Sequence, residues 1–428
     1  MNSKTRPVAV LGGNRIPFAR ANGTYAKASN QDMLTAALEG LVDRFSLAGE
    51  TIGEMAAGAV LKHSRDFNLT RECVLGSRLA PETPAYDVQQ ACGTGLEAAI
   101  LVANKIALGQ IEAGVAGGVD TTSDAPIALN DDLREILLDA NRARSNAGRL
   151  KALAKVRPGH IVPAIPRNEE PRTGLSMGEH QARTAAEWGV TREDQDNLAA
   201  RSHQNLAAAY DEGWQDDLLT SYLGLERDEN LRPDSTPEKL AKLKPVFGGE
   251  NGTMTAGNST PLSDGASTVL LASEDWARER GLPVRAYISD AETAAVDYVH
   301  GGEGLLMAPA YAMPRMLDRN GLSLQDFDLY EIHEAFASQV LSTLEAWRDP
   351  VFGRERLGRE EPLGEIDTEM LNVKGGSLAA GHPFAATGGR ILANLAKELD
   401  ARGGGRGVIS ICAAGGQGVV AILEKEQA

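Results

Sequence analysis

An internal repeat limits what this chain can fold into more than any single element does. The stretch LVDRFSLAGETIGEM (41–55) lies beside MLDRNGLSLQDFDLY (316–330) without a gap. Val42 and Leu317, Asp43 and Asp318, Arg44 and Arg319, Leu47 and Leu322, and Ile52 and Phe327 fall in register. Further on, each half has a turn of small residues leading into a helical run: QQACGTGLEAAILVANKIALG in the first and GGSLAAGHPFAATGGRILANLAKEL in the second. Cys92 and His382 take comparable places in those two turns. Scattered dipeptide matches arise by chance, but a shared order of elements points to a duplicated unit.

The unit itself reads as α/β, because short strand-like runs alternate with helical ones. PVAVLGG reads as a strand; Met33, Leu34, Ala37, Leu38, Leu41, Val42 and Phe45 recur at helical spacing, as do Ile391, Leu392, Leu395 and Leu399. GVISICAAGGQGVVAILE reads as two buried strands joined by a glycine turn. Residues 122–252 have a different texture, with awkward proline-rich loops and one helical stretch, EDQDNLAARSHQNLAAAYDEG. The expected organisation is a first half over 1–121, an inserted loop domain over 122–252, a return to the first half over 253–276, and a second half over 277–428.

Net charge of -16 argues against nucleic acid as a general partner. One segment runs against that balance: Arg142, Arg144, Arg149, Lys151, Lys155 and Arg157 lie within 141–160 without an acidic residue. It reads either as a solvated helix face or as a dock for a phosphorylated ligand or acidic partner. Three scattered cysteines (Cys73, Cys92, Cys412) form no disulfide framework and fit a reducing compartment. MNSKTRPVAVLGGNRIPF lacks the apolar core of a leader, and no run is long enough to span a bilayer, so a cytoplasmic location is expected.

The chemistry centres on Cys92. A free thiol titrates near pH 8.5, and only the thiolate is a good nucleophile. A helix N-terminus offers free N–H groups and partial positive charge, which favour the thiolate. The adjacent Gly93 and Gly95 would let a substrate approach and leave N–H groups to bind an oxyanion. Three other stretches add candidates: GGSLAAGHPFAATGG carries His382, ISICAAGGQG carries Cys412, and YEIHEAFAS carries His333 and Glu334. HEAFA lacks the second histidine of a zinc helix and no Cys-x-x-Cys occurs, so no metal is expected.

Cys92 before a helix, then HEAF, GHP and CAAGGQG, in this order and at these separations, resembles the thiolases. GGNRIPF, SMGEHQA and TAGNSTPLSDGAS extend the resemblance over nearly the whole chain. It implies two similar α-β-α halves packed as a five-layered α-β-α-β-α core with an inserted loop domain. It implies that Cys92 is acylated, that His382 activates it and helps to form an oxyanion hole, and that Cys412 is the second acid/base. The N–H groups of Cys92 and Ala414 would form the other oxyanion hole, and His333 would hold a catalytic water. Thr260, Met177, Ala335 and Phe336 match positions lining the CoA and pantetheine path. CoA enters as a substrate rather than a cofactor, and dimers or tetramers of one chain are usual.

This sequence departs from the family pattern at His333, where most thiolases have asparagine. HEAF is typical of the β-subunit of the trifunctional fatty-acid oxidation complex, which implies a hydratase/dehydrogenase partner. Ala414 replaces a usual glycine, Pro261 a commonly flexible one, and Ser176 stands where short-chain enzymes often have histidine. Two other classes remain to be weighed. A decarboxylating condensing enzyme of the ketoacyl-synthase type uses Cys-His-His, which Cys92, His333 and His382 would imitate, but it needs no second thiol. A non-catalytic acyl-CoA-binding subunit would have no use for the reactive set.

Overall fold

The computed structural model describes residues 5–427. Nine strands form the path of the large sheet: β1 (Val8–Arg15), β2 (Glu54–Ala57), β3 (Ala85–Asp87), β4 (Ala113–Asp120), β5 (Ser263–Ser273), β6 (Ala286–Ala295), β7 (Leu329–Ile332), β8 (Gly405–Ala413) and β9 (Gln417–Lys425). A tenth, Ala19–Arg20, pairs with the start of β5. The helices that matter here are α1 (Asn30–Phe45), α2 (Leu69–Leu75), α3 (Thr94–Ala107), α4 (Asp131–Arg142), α5 (Asn146–Leu153), α6 (Met177–Glu187), α7 (Arg192–Asp211), α8 (Pro309–Asn320), α9 (Ala337–Arg348) and α10 (Thr387–Ala401).

Strand order exposes the duplication. The first half runs β1-β5-β4-β2 and the second β6-β9-β8-β7. In each, the first two pairings are antiparallel and the third is parallel. Met55 pairs in parallel with Ala85, while Tyr330, its counterpart in the sequence repeat, forms a parallel bridge to Leu371. The repeat therefore marks equivalent positions in two equivalent sheets. Those sheets are continuous, because β1 also pairs with β6 from Val8–Ile288 to Val10–Ala286.

Side chains alternate across a strand, so each half-sheet buries one set on each face. Ala9, Leu11, Leu270 and Ala272 pack beneath Met33, Leu34, Leu38 and Leu41 of α1, with Cys73 of α2 beside them. Val8, Val10, Val269 and Leu271 face the other way, onto Leu96, Val102 and Ile106 of α3 and Ile391, Leu395 and Leu399 of α10. The same two helices receive Ile409, Ile411, Val419, Ala421 and Leu423 from the second sheet. Val420 and Ile422 point away, under Met313 and Met316 of α8 and Val340 and Trp347 of α9. The result is five layers, α-β-α-β-α, with α3 and α10 in the middle.

Close approach of those central helices needs glycine. A Cβ on Gly95 would lie 2.6 Å from the Ala385 carbonyl oxygen, and one on Gly388 would run into the backbone of Leu96. Gly95 thus serves helix packing, where the sequence reading had it opening a path for substrate. The backbone strain beside the nucleophile sits instead at Ala91, whose φ is 45°.

Among the described residues, 122–252 give no strand to the large sheet. They are tied to it by a buried ion pair, in which Arg15 of β1 meets Asp228 through two contacts of 2.6 and 2.8 Å. Tyr210 of α7 and the Phe18 N–H also donate to that carboxylate. Removing one partner of a buried pair leaves an uncompensated charge. Asp228→Ala is therefore expected to cost about 3–5 kcal/mol in unfolding free energy, read by denaturant titration. A loss under about 1 kcal/mol would show that the pair is dispensable.

Candidate active site

Cys92 lies two residues ahead of α3, in a turn fixed by Thr94. The Gln90 N–H donates to Thr94 Oγ1 at 2.9 Å, and that hydroxyl donates to the Ala91 carbonyl at 2.7 Å. His382 lies before α10, the matching helix of the second half. Its turn is held by Asp120, which accepts from the N–H groups of Ala385 and Val60, both at 2.9 Å. Because α3 and α10 touch at their starts, the two turns meet. Cys92 Sγ is 3.0 Å from His382 Nε2, and His382 Nδ1 is 2.6 Å from the hydroxyl of Thr387, the first residue of α10.

His333 follows β7 and stacks on the same imidazole, with ring centroids 4.1 Å apart and planes inclined at 45°. Its Nδ1 is 2.8 Å from Ser377 Oγ, and its Nε2 is buried without a partner. The sulfur of Cys92 and nitrogens of the two histidines lie within 4.8 Å of one another. This is a donor set of the kind zinc accepts, brought together from three distant segments, which a search for local metal motifs could not see. Glu334 is buried but accepts from Ser202, Asn372 and the Leu378 N–H, so it braces the HEAF turn and the GHP turn together.

Cys412 is the penultimate residue of β8 and is buried with Ala335, Phe336, Met254, Leu305 and Leu306, with Met177 packed at the edge. Thr260 donates its hydroxyl to the Ala335 carbonyl at 2.9 Å. Of the four positions expected along the CoA path, Ala335 and Phe336 share the cluster of Cys412, Met177 packs against it, and Thr260 joins it through Ala335. The glycine turn after Cys412 is held by Glu170, which accepts from the Gly415 N–H at 2.7 Å and from Tyr298 at 2.8 Å. Ser176, which stands where short-chain enzymes often have histidine, N-caps α6 in a reciprocal capping box with Glu179. The cations of 141–160 are exposed on and beside α4 and α5, with Arg142 and Lys155 near Asp139.

Burial sets the electrostatics. It pushes the half-buried Cys92 thiol up to about 12, although hydrogen bonds from the backbone of Ala414 and of Cys92 itself pull the other way. Burial, then the charge of Arg390, brings His382 down to about 3. His333 is held well below its ordinary value, by burial first and then by His382 and Arg390. Cys412 is raised by burial and by repulsion from Cys92. All four groups rest neutral near pH 7, so the Cys92 proton has to cross to His382 during reaction. Accordingly, alkylation of Cys92 by iodoacetamide should quicken about tenfold per pH unit from pH 6 to 8 once His382 is replaced by asparagine, and stay nearly flat in wild type. A rate flat across that range in the variant, measured on the Cys92 peptide, would mean that the thiol is already ionised without the imidazole.

A thiol, an imidazole to take its proton, backbone and ring donors, and a second thiol on the facing wall make an apparatus for acyl transfer through a cysteine. Family models agree: "Thiolase, N-terminal domain" matches residues 8–275 and "Thiolase, C-terminal domain" residues 282–425. The chain belongs to the thiolase family. The 3-ketoacyl-CoA thiolases of Yersinia pestis (strain Pestoides F) and Yersinia pseudotuberculosis (serotype O:1b) are each 40% identical over 425 residues, 98% of this chain and 97% of theirs. Among solved structures, the Bacillus anthracis acetyl-CoA acetyltransferase superposes with a TM-score of 0.82 at 29% identity, covering 99% of this chain and 100% of that one. Human mitochondrial 3-ketoacyl-CoA thiolase in complex with CoA gives 0.81 at 29% identity, covering 98% of each chain.

Proposed function

We propose that this thiolase cleaves 3-ketoacyl-CoA with CoA, as a step of fatty-acid β-oxidation, by ping-pong transfer through an acyl group on Cys92. The observation that carries the assignment of roles is the 3.0 Å contact between Cys92 Sγ and His382 Nε2 at the meeting of the two central helices. The names of the Yersinia relatives support the substrate class.

In the first half-reaction Cys92 passes its proton to His382 Nε2 as the sulfur attacks the keto carbon. The tetrahedral oxyanion is stabilised by the N–H groups of Cys92 and Ala414. The bond between the second and third carbons breaks, and its electron pair becomes the enolate of acetyl-CoA. The enolate oxygen faces His333 and the protonated His382, and Cys412 delivers a proton to the carbon. In the second half-reaction the CoA thiol returns a proton to Cys412 and attacks the acyl group. The departing Cys92 sulfur recovers its proton from His382, which restores the resting state. Met177, Thr260, Ala335 and Phe336 line the approach of the pantetheine, and CoA is consumed as substrate with no resident cofactor.

The test is CoA-dependent loss of 3-ketoacyl-CoA absorbance, with acetoacetyl-CoA and a long-chain substrate side by side. The ratio of rates assigns chain length. Release of CO2 from malonyl-CoA without CoA-dependent cleavage would favour a decarboxylating synthase instead. The cytoplasmic location, the self-associated dimer or tetramer, and the treatment of 122–252 as an inserted unit belong to the same reading, as does a hydratase/dehydrogenase partner, which rests on HEAF. Co-purification of the native protein tests the partner.

A further inference from the structure

Two histidines stand side by side at this site, and each has two nitrogens that can carry the proton. Which nitrogen carries it decides whether a ring accepts or donates. For His333 the surroundings leave one solution. Arg390 is a donor only, and its Nη2 lies 3.2 Å from Ser377 Oγ, so the serine oxygen accepts from it. The Ser377 hydroxyl still has one proton to place, and the side chain is fully buried. Among the described residues, the acceptor within reach of that proton is His333 Nδ1 at 2.8 Å. If Nδ1 were protonated instead, the serine would receive two donors and bury its own O–H unpaired, which is unfavourable.

We propose that Arg390 and Ser377 are positioning residues that lock His333 as the Nε2–H tautomer, and so make it a donor aimed at the acyl thioester. This rests on the thiolase reading above. The freed donor is the buried Nε2 that has no protein partner. The neighbouring ring is set the opposite way: His382 Nε2 faces the Cys92 thiol and accepts, while its Nδ1 proton goes to Thr387. One imidazole is thus an acceptor at rest and the other a donor at rest. Once Cys92 has given up its proton, both Nε2 atoms are donors, and the pair can hold an enolate oxygen. The burial that keeps both rings neutral is consistent with this, since a charged His333 would need no tautomer selection.

Two measurements test it. Ring 15N chemical shifts of histidine-labelled wild-type protein, with His333 identified by its disappearance in His333→Asn, are expected to show a protonated Nε2 and a bare Nδ1. A protonated Nδ1 overturns the proposal, and this readout needs no turnover. In kinetics, Ser377→Ala is expected to lower kcat about 10- to 100-fold with KM changed less than about 3-fold. In the His333→Asn background the same change should cost less than about 3-fold, because an amide presents its donor whatever the serine does. Equal losses in both backgrounds would make Ser377 a packing residue and overturn the proposal. Absence of wild-type thiolysis would strike the functional reading alone, leaving the shifts to decide the tautomer.

Discussion

Cys92→Ala should lose thiolysis by at least about 10⁴-fold in kcat, the scale on which removal of a covalent nucleophile acts. No neighbour can stand in. Cys412 is the other thiol at the site, but it is buried in an apolar cluster and its ionisation is suppressed by burial. Water cannot substitute productively, because the product would be a free acid rather than an acyl-CoA. The variant should still fold, since alanine at a half-buried turn leaves the Thr94 hydrogen bonds that fix the backbone there. The decisive assay is mass spectrometry of protein exposed to 3-ketoacyl-CoA in the absence of added CoA. Wild type should carry one acyl group on the Cys92 peptide, and the variant none. An acyl group on Cys412 in the variant, or residual turnover above about one part in 10³, would sink the assignment of the nucleophile.

The sequence made the parts of this site visible, but not their contacts. The repeat at 41–55 and 316–330 foretold two equivalent sheets, and helical spacing over 31–45 foretold α1, because apolar periodicity follows directly from layer packing. Cys92 and His382 stand out in glycine- and alanine-rich turns, and Cys412 and His333 at the ends of short strands. What periodicity could not show was the pairing of β1 with β6, since backbone bonding between distant strands leaves no pattern in side chains. Ser377 and Thr387 went unread although both lie in the quoted GGSLAAGHPFAATGG, five residues on either side of His382. Their hydroxyls serve different rings, and only the fold decides which. Ser176 shows the reverse case: SMGE is a legible capping box, and the structure uses it as one.

His382→Asn should separate the proton from the nucleophile. Burial pushes the Cys92 thiol up to about 12, so at pH 7 without a base the thiolate is scarce. With His382 in place that scarcity is bypassed, because the proton moves across 3.0 Å as the sulfur attacks. Asparagine supplies a donor but no base. The backbone N–H groups that reach the sulfur recover part of the loss, which places the expected fall in kcat at about 10³- to 10⁴-fold. The sign of the pH dependence follows from the same argument. A raised thiol gains thiolate as pH increases, so the variant's residual rate should climb about tenfold per unit from pH 7 to 9. Wild type, whose proton goes to an imidazole held neutral down to about pH 3, should lack that climb. A variant rate that stays flat with pH, or a loss smaller than about tenfold, would mean that the Cys92 proton leaves by another route.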